Sequence, residues 1–456
     1  MSFPKYEKYK DSGVEWLEEV PEHWNTSKFG FLKTVLTDYT ANGSFADLKK
    51  NVRYLSSPGY ARLVRLTDLR QGLNNHDGVW ISKPAYEYLS KSALYGGEFL
   101  LANVGAYAGL FYQMPYNSGL ASLAPNMFMA KFDPLKAHPK FISWVAISKS
   151  ASEQLKLLAT SSSAQPKLNK DDFKSVVVVI PPLFEQTQIA RFLEYETARI
   201  DALIAEQERL IALLKEKRQA VISHAVTKGC DPSVPMKNSG DEWLGEVPDH
   251  WEVKKVNYAC DIHNNLRTPI DRNIRAQKDG PYPYYGPTGV LDYIDEFYVE
   301  GEYFLLGEDG DHFLKFNDKP MTINVDGKFC VNNHAHLMKG KAGCSTSWAA
   351  LCFETRDLAP WLIKQGVARY KLRKEILASI QIAVPPLSEQ ISILKDIAGK
   401  KVMLNKLISR AKESINLLQE RRSALISAAV TGKIDVRNWQ PPTSTPPMPI
   451  LEAVHS

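Results

Sequence analysis

The chain contains itself twice. Asp11–Trp24 reads DSGVEWLEEVPEHW and Asn238–Trp251 reads NSGDEWLGEVPDHW, identical at 10 of 14 positions. Residues 162–229 align without a gap on 366–433 and share 24 of 68 residues. The shared residues include PPLxEQ (Pro181–Gln186, Pro385–Gln390) and AxISxAVT (Ala220–Thr227, Ala424–Thr431). Two long repeats in the same order make the chain two copies of one unit, and a fused pair is expected to fold as a pseudo-two-fold dimer. Between the repeated blocks the sequences diverge. Trp24 to Pro181 is 157 residues and Trp251 to Pro385 is 134, so the second insert is 23 residues shorter. A repeated frame with two different inserts is the pattern of a protein that reads two different things at a set separation.

A chain of 456 residues has room for two to four domains, each with its own core. Its 44% hydrophobic content is ordinary for a soluble protein, and no apolar run approaches a membrane span. The N-terminus is charged from Lys5 onward and lacks a signal-peptide core, so a cytoplasmic location is expected. Cys230, Cys260, Cys330, Cys344 and Cys352 form no CxxC pair, which fits reduced thiols. The net charge of +5 permits a polyanionic partner without demanding one.

The repeats draw the boundaries. An entry segment, 1–24, leads into a mixed region, 25–180, with strand-like runs at Phe99–Ala102 and Val176–Ile180. Glu185–Val226 then runs without proline or glycine. Its apolar residues Ile189, Leu193, Ile200, Leu203, Leu210 and Leu214 step by threes and fours, the spacing of a long helix with a coiled-coil seam. Such a helix would be roughly 60 Å long. The cycle restarts at 230–251, continues through 252–384 and ends in a second helix, Glu389–Val430, with seam residues Ile393, Ile397, Leu404, Leu407, Leu418 and Leu425. The resulting division is 1–180, helix 181–229, 230–384, helix 385–439, and a proline-rich tail, 440–456, expected to be disordered. A fainter echo links the inserts: Gly97–Leu101 leads into Asn103-Val104-Gly105 as Gly301–Leu306 leads into Glu308-Asp309-Gly310. Each reads as a strand running into a polar, glycine-hinged loop, where binding residues tend to lie.

The entry motifs WLEEVPEHW and WLGEVPDHW, the linkers AQPKLNKDDFKSVVVVIPPLFEQ and ARYKLRKEILASIQIAVPPLSEQ, and the helix ends KRQAVISHAVTKG and RRSALISAAVTGK together resemble the specificity subunit of type I restriction–modification systems. The resemblance covers nearly the whole chain. It implies an α+β fold with two target-recognition domains, each contacting half of a split DNA site, separated by two antiparallel helices. It also implies two adenine methyltransferase (modification) subunits and further restriction and translocase subunits as partners. S-adenosylmethionine, ATP and Mg2+ would then serve those partners, with no cofactor bound by this chain.

Base readout needs side chains that hydrogen-bond base edges, and phosphate anchoring needs Lys and Arg. Gln165, Lys167, Asn169 and Lys170 precede the first helix; Arg369, Lys371, Arg373 and Lys374 precede the second. Lys167/Lys371 and Lys170/Lys374 recur in both copies, which favours phosphate contact over a merely solvated basic loop. In the second insert, Tyr284, Tyr285 and Thr288 lie in an aromatic turn, although turn tyrosines are often packing residues. The loop Glu308-Asp309-Gly310, with Asp309 foremost, could accept from a cytosine amino group or be a solvated acidic turn, and Asn332, Asn333 and His334 are polar candidates. In the first insert the candidates are Arg62, Arg65, Arg70, Asn74, Asn75, Asn103, Tyr107 and Asn126. Cys330, His334 and His336 would share one face if their segment were a single strand, yet they supply at most three ligands, so no metal site is expected.

Catalytic signatures are missing: there is no GxxxxGK[ST] loop, no glycine-rich dinucleotide fingerprint and no (Asp/Asn)-Pro-Pro-(Tyr/Phe). The sequence reads as a non-catalytic DNA-recognition protein for a bipartite, asymmetric target, since different inserts should read different half-sites. One alternative is a coiled-coil adaptor whose inserts bind proteins, which the salt dependence of DNA binding would separate. A self-sufficient restriction enzyme would need a catalytic segment for which the repeats leave no room.

Overall fold

The computed structural model describes residues 3–71, 73–75, 77–160, 166–316, 318–365 and 369–442; residues 443–456 of the proline-rich tail lie outside them. The chain forms two compact units, one of residues 1–204 with 416–456 and the other of 205–415. Both long helices, Leu183–Lys228 and Leu387–Val430, are therefore divided between the units.

The first unit holds a four-stranded antiparallel sheet in the order 33–38, 127–132, 99–102, 111–113. A second sheet runs 80–81, 61–64, 121–123, 93–94, with 61–64 parallel to 121–123. The second unit repeats this plan in unlike sequence. Its sheets run 260–262, 335–340, 303–307, 322–325 and 289–294, 282–286, 328–331, 299–300, and 282–286 is parallel to 328–331. Each unit adds an entry hairpin (9–11 with 19–21; 236–238 with 246–248) and a two-stranded ribbon joining insert to frame (25–28 with 177–180; 252–255 with 381–384). The divergent inserts thus share one fold, and the internal repeat extends through the whole chain.

Helix formers without a breaker make the first long helix, and burial of its apolar face against the second stabilises it. In the first unit Ile189, Leu193 and Ile200 pack with Leu425, Ile426 and Val430, and Leu418 joins them half-buried. In the second, Ile222 and Val226 pack with Ile393 and Ile397, and Leu214 with Leu404 and Ile408. In the second unit this order reverses along the partner, and in the first Gln188 bonds to Val436 and Trp439 while Asp201 pairs with Arg422, so in each unit the helix segments are antiparallel. Three expected seam positions face water instead: Leu203 is 52% exposed, Leu210 41% and Leu407 36%. In each case the next residue (Ile204, Ile211, Ile408) turns inward. A strict 3.5-residue repeat drifts against the 3.6-residue α-helical period, which moves the buried stripe one residue along.

The repeated motifs form one clamp in both units. Glu185, buried at the start of the first long helix, accepts from Trp24 Nε1 (3.0 Å) and Tyr6 Oη (3.0 Å) and lies 2.6 Å from His23 Nε2. Glu389 likewise accepts from Trp251 Nε1 (3.1 Å) and meets His250 Nε2 at 2.7 Å. The adjacent glutamines tie helix to insert. Gln186 Oε1 accepts from His138 N and its Nε2 donates to the carbonyls of Lys136 and Pro181, while Gln390 does the same with Ser345 N, Gly343 O and Pro385 O. Each long helix stops at a glycine with left-handed backbone, Gly229 (φ +75°) and Gly432 (φ +74°), set against Trp251 and Trp24. A side chain at Gly432 would collide with Pro21.

Candidate nucleic-acid interface

The strand ends singled out in the sequence are built alike in the two units. After the strand Phe99–Ala102, Asn103 N donates to Asn126 O (3.1 Å) and Asn103 O accepts from Leu168 N (2.8 Å). After Tyr303–Gly307, Glu308 N donates to His334 O (2.8 Å) and Glu308 O accepts from Leu372 N (2.8 Å). Val104 pairs with Lys167, as Asp309 pairs with Lys371. Asn103 and Glu308 are therefore equivalent positions, and the recurrent lysines lie beside them.

The side chains at these junctions differ. In the second unit Glu308 Oε1 lies 3.1 Å from Lys371 Nζ, and Oε2 accepts from Arg267 Nη1, which also reaches the carbonyls of Asn333 (3.1 Å) and Ala335 (3.2 Å). Burial alone would raise the Glu308 carboxyl, but the hydrogen bonds from Arg267 and Lys371 outweigh it and hold the pKa below the ordinary value. His336, fully buried, donates from Nε2 to Leu372 O (2.8 Å) and faces Asn264 Nδ2 through Nδ1 (2.9 Å); burial pushes its pKa down. At the rim, exposed His334 meets the Asp309 carboxylate at 2.8 Å, and Asn333, Arg373 and Lys374 are exposed beside them. Asn332 is buried and its Oδ1 accepts from His334 N, shaping the turn.

The first unit carries a different set. Among the described residues the buried Oδ1 of Asn103 has no hydrogen-bond partner. Tyr107 is exposed with the Arg70 guanidinium 4.8 Å from its ring centre, and Asn126 is exposed in left-handed backbone (φ +61°). Lys167 is exposed, Lys170 pairs with Asp38 (2.8 Å), and Asn169 caps the helix Lys170–Ser175 by accepting from Asp171 N and Asp172 N. Arg65 belongs to a network centred on buried Asp68, which accepts from Arg65 (2.8 Å) and Asn75 Nδ2 (2.7 Å), with the Arg62 guanidinium 3.5 Å away. Burial would raise the Asp68 carboxyl, yet these donors keep its pKa low.

Some expectations are corrected. Tyr284 is 1% exposed: its hydroxyl accepts from Ile270 N and donates to Thr268 O, so it is a core residue and not a groove contact. Tyr285 is half-buried against Phe329, while Thr288 is exposed in the turn between 282–286 and 289–294. Cys330, His334 and His336 do not share a face, because the segment is two strands of different sheets with a turn between them. Among the described residues no group of three or more His, Cys, Asp or Glu stands ready to hold a metal. Gln165 lies outside the described residues, and Arg369 is described only as part of the strand Arg369–Lys371. The sequence reading missed Asp68 and Arg267, and it weighed His336 only as a metal ligand. Glu308 was visible as the residue ending an echoed strand; Arg267, remote in sequence, carried no local mark.

Among the described residues no helix is long and apolar enough to cross a membrane. The family model of the type I restriction modification DNA specificity domain matches residues 42–212 and 248–405, one stretch in each insert-and-helix repeat. The type I restriction enzyme MjaVIII specificity subunit of Methanocaldococcus jannaschii is 22% identical over 475 aligned positions, covering 96% of this chain and 98% of that protein. The Haemophilus influenzae protein S.HindORF215P is 34% identical over 144 residues; the match spans 32% of this chain and 36% of that protein's length. Among solved structures, the HsdS subunit from Thermoanaerobacter tengcongensis superposes with a TM-score of 0.52 over 91% of this chain and 98% of its own, at 14% identity. A chain from a structure of a type I R-M system superposes with a TM-score of 0.63 over 90% of this chain, at 15% identity. With both repeats matched by the family model and the fold shared, the chain belongs to the type I restriction–modification DNA specificity family.

Proposed function

We propose that this chain reads a bipartite, asymmetric DNA sequence, one half through each insert, and supplies no catalytic group of its own. The observation that carries this reading is the pair of equivalent strand-end junctions. Each has an exposed recurrent lysine suited to a phosphate, Lys167 in one and Lys374 in the other, and each presents different polar groups at its surface: Tyr107, Asn126 and Arg70 in one copy, Asp309, His334 and Asn333 in the other. One frame with two unlike reading surfaces suits two unlike half-sites. The chain would act with two methyltransferase subunits and with restriction and translocase subunits, and those partners would use S-adenosylmethionine, ATP and Mg2+. The test is to map methylated adenines in the source genome with and without this gene. Loss of one split, non-palindromic motif supports the reading; an unchanged methylation map in a strain whose methyltransferase is active overturns it.

A further inference from the structure

The two copies of the entry motif differ in what covers one shared tryptophan. Trp243 of the second copy is equivalent to Trp16 of the first. Trp243 is covered: the Arg356 guanidinium carbon lies 3.9 Å from its ring centre and 4.6 Å from that of Trp361. Arg356 is fully buried, and its Nη1 donates to Gln381 O at 2.7 Å. Its Nε and Nη2 have no hydrogen-bond partner among the described residues, and the Asp241 carboxylate, 4.0 Å from Nη2, together with the two indole faces compensates for burying this cation. In the first unit the carbonyl equivalent to that of Gln381, Val177 O, is taken by Gln154 Nε2 at 2.8 Å. Glutamine satisfies the carbonyl but brings no cation. Trp16 is 45% exposed, and among the described residues no cation stands over it.

Trp16 lines a groove of about 980 Å³ formed within the first unit by the entry hairpin, the helix Lys149–Thr160 and the last turns of the second long helix. Glu153 and Glu420 line it from the two helices, and Glu18 pairs there with Lys433 at 3.6 Å. Lys149 is the one other cation on its walls. We propose that this groove receives an arginine side chain from a partner polypeptide, stacked on Trp16 and flanked by Glu153 and Glu420, as Arg356 stacks on Trp243 within the chain. The chain cannot supply that arginine from its undescribed stretches 161–165 and 443–456, since neither contains Lys or Arg. The two units are thus unequal: in the second the chain's own arginine covers the entry-motif tryptophan, and in the first that tryptophan is open to a partner. This inference does not depend on the DNA reading.

The test uses the full chain labelled with 5-fluorotryptophan, the Trp16 fluorine line being assigned with Trp16→Phe. N-acetylarginine amide is titrated against N-acetylcitrulline amide, its uncharged isostere. The Trp16 line should move saturably, by about three-fold or more with arginine than with citrulline, while the Trp243 line stays in place. The double variant Glu153→Gln/Glu420→Gln should reduce the response to arginine alone. Equal responses to both amides, or none, would overturn the proposal. So would a Trp16 line that moves in the same way on raising protein concentration alone, which would make a second copy of this chain the occupant.

Discussion

Asn103 and Glu308 occupy the same backbone position in the two copies, each accepting from its own leucine amide, Leu168 N or Leu372 N, at 2.8 Å. One is a neutral amide and the other a carboxylate held between Arg267 and Lys371. The frame conserves the hydrogen bonds of the main chain there and leaves the side-chain chemistry free to differ. A recognition surface can change in this way without endangering the fold, because the main-chain bonds do not depend on the side chain they carry.

Glu308→Ala should therefore damage one half of the recognised sequence only. Removing the carboxylate takes from Arg267 and Lys371 the anion they share, and binding to the half-site read by the second insert should fall about ten-fold or more. Competition binding with DNAs mutated in one half at a time measures this. Equal losses at both halves would show that the inserts are not independent readers. Exchanging 252–384 for another family member's insert should likewise alter one half alone.

Lys167 and Lys374 are exposed beside the two junctions. As phosphate contacts, Lys167→Ala and Lys374→Ala should each lower the slope of log binding constant against log salt concentration by about 1, with the order of preferred sequences unchanged. An unchanged slope would assign both lysines to solvent.

His336 gives the second unit a pH dependence of stability. Burial sets its folded pKa below the unfolded value, so the unfolded chain binds more protons in the window between them. Its contribution is complete above the unfolded pKa of about 6.5 and is lost as pH falls towards the lower folded value. The groups facing it are Asn264, Glu308, Arg267 and Lys371. His336→Gln should flatten the loss of stability just below pH 6.5 in denaturant unfolding, while lowering stability at pH 8 by about 1–3 kcal/mol. An unaltered pH profile would mean that other groups dominate that window.

Glu185→Gln should destabilise the first unit by about 1–3 kcal/mol, because one oxygen that accepts from Tyr6 and Trp24, or the one facing His23, becomes an NH2 donor. Glu389→Gln should cost less, since Glu389 is partly open to water and Glu185 is buried. Denaturant unfolding of the two variants checks the order; a larger loss at Glu389 would reverse the argument from burial.

Four residues inserted after Ile204 and four after Ile415 fall where each helix passes from one unit to the other. Each insertion adds about one turn, roughly 6 Å, while nearly preserving the apolar face. The half-sites should stay the same and the unread spacer should grow by one or two base pairs of about 3.4 Å. Two-residue insertions should do worse, since they rotate the downstream face by about 200°. Methylation mapping that finds an unchanged spacer in an active complex would show that the helices do not set the distance.

Much of this architecture was legible because repetition and helical periodicity are local properties. The long helices begin and end within two residues of the expected Glu185–Val226 and Glu389–Val430. The phase of their buried stripe was not, since Leu203 and Ile204 are equally apolar and only the partner helix decides which turns inward. Tyr284 went astray for a related reason: a tyrosine near a turn looks the same whether its hydroxyl meets water or, as here, the main chain at Thr268 and Ile270. Lys167 and Lys371 were found through recurrence, whereas Arg267 reaches Glu308 only through the fold.

Pro4 O accepts from Asp435 N at 2.8 Å, and Phe3 and Trp439 each pack edge-on with Phe192, ring centres 5.0 and 5.2 Å apart. At the corresponding place in the second unit the helix runs through residues 230–235 straight into its hairpin. The junction that the second unit makes through a continuous peptide is thus made in the first unit by weak contacts. Opening the peptide between 230 and 235 and bridging residues 3 and 439 should therefore leave the hairpin and helix end of each unit in the contacts they make now.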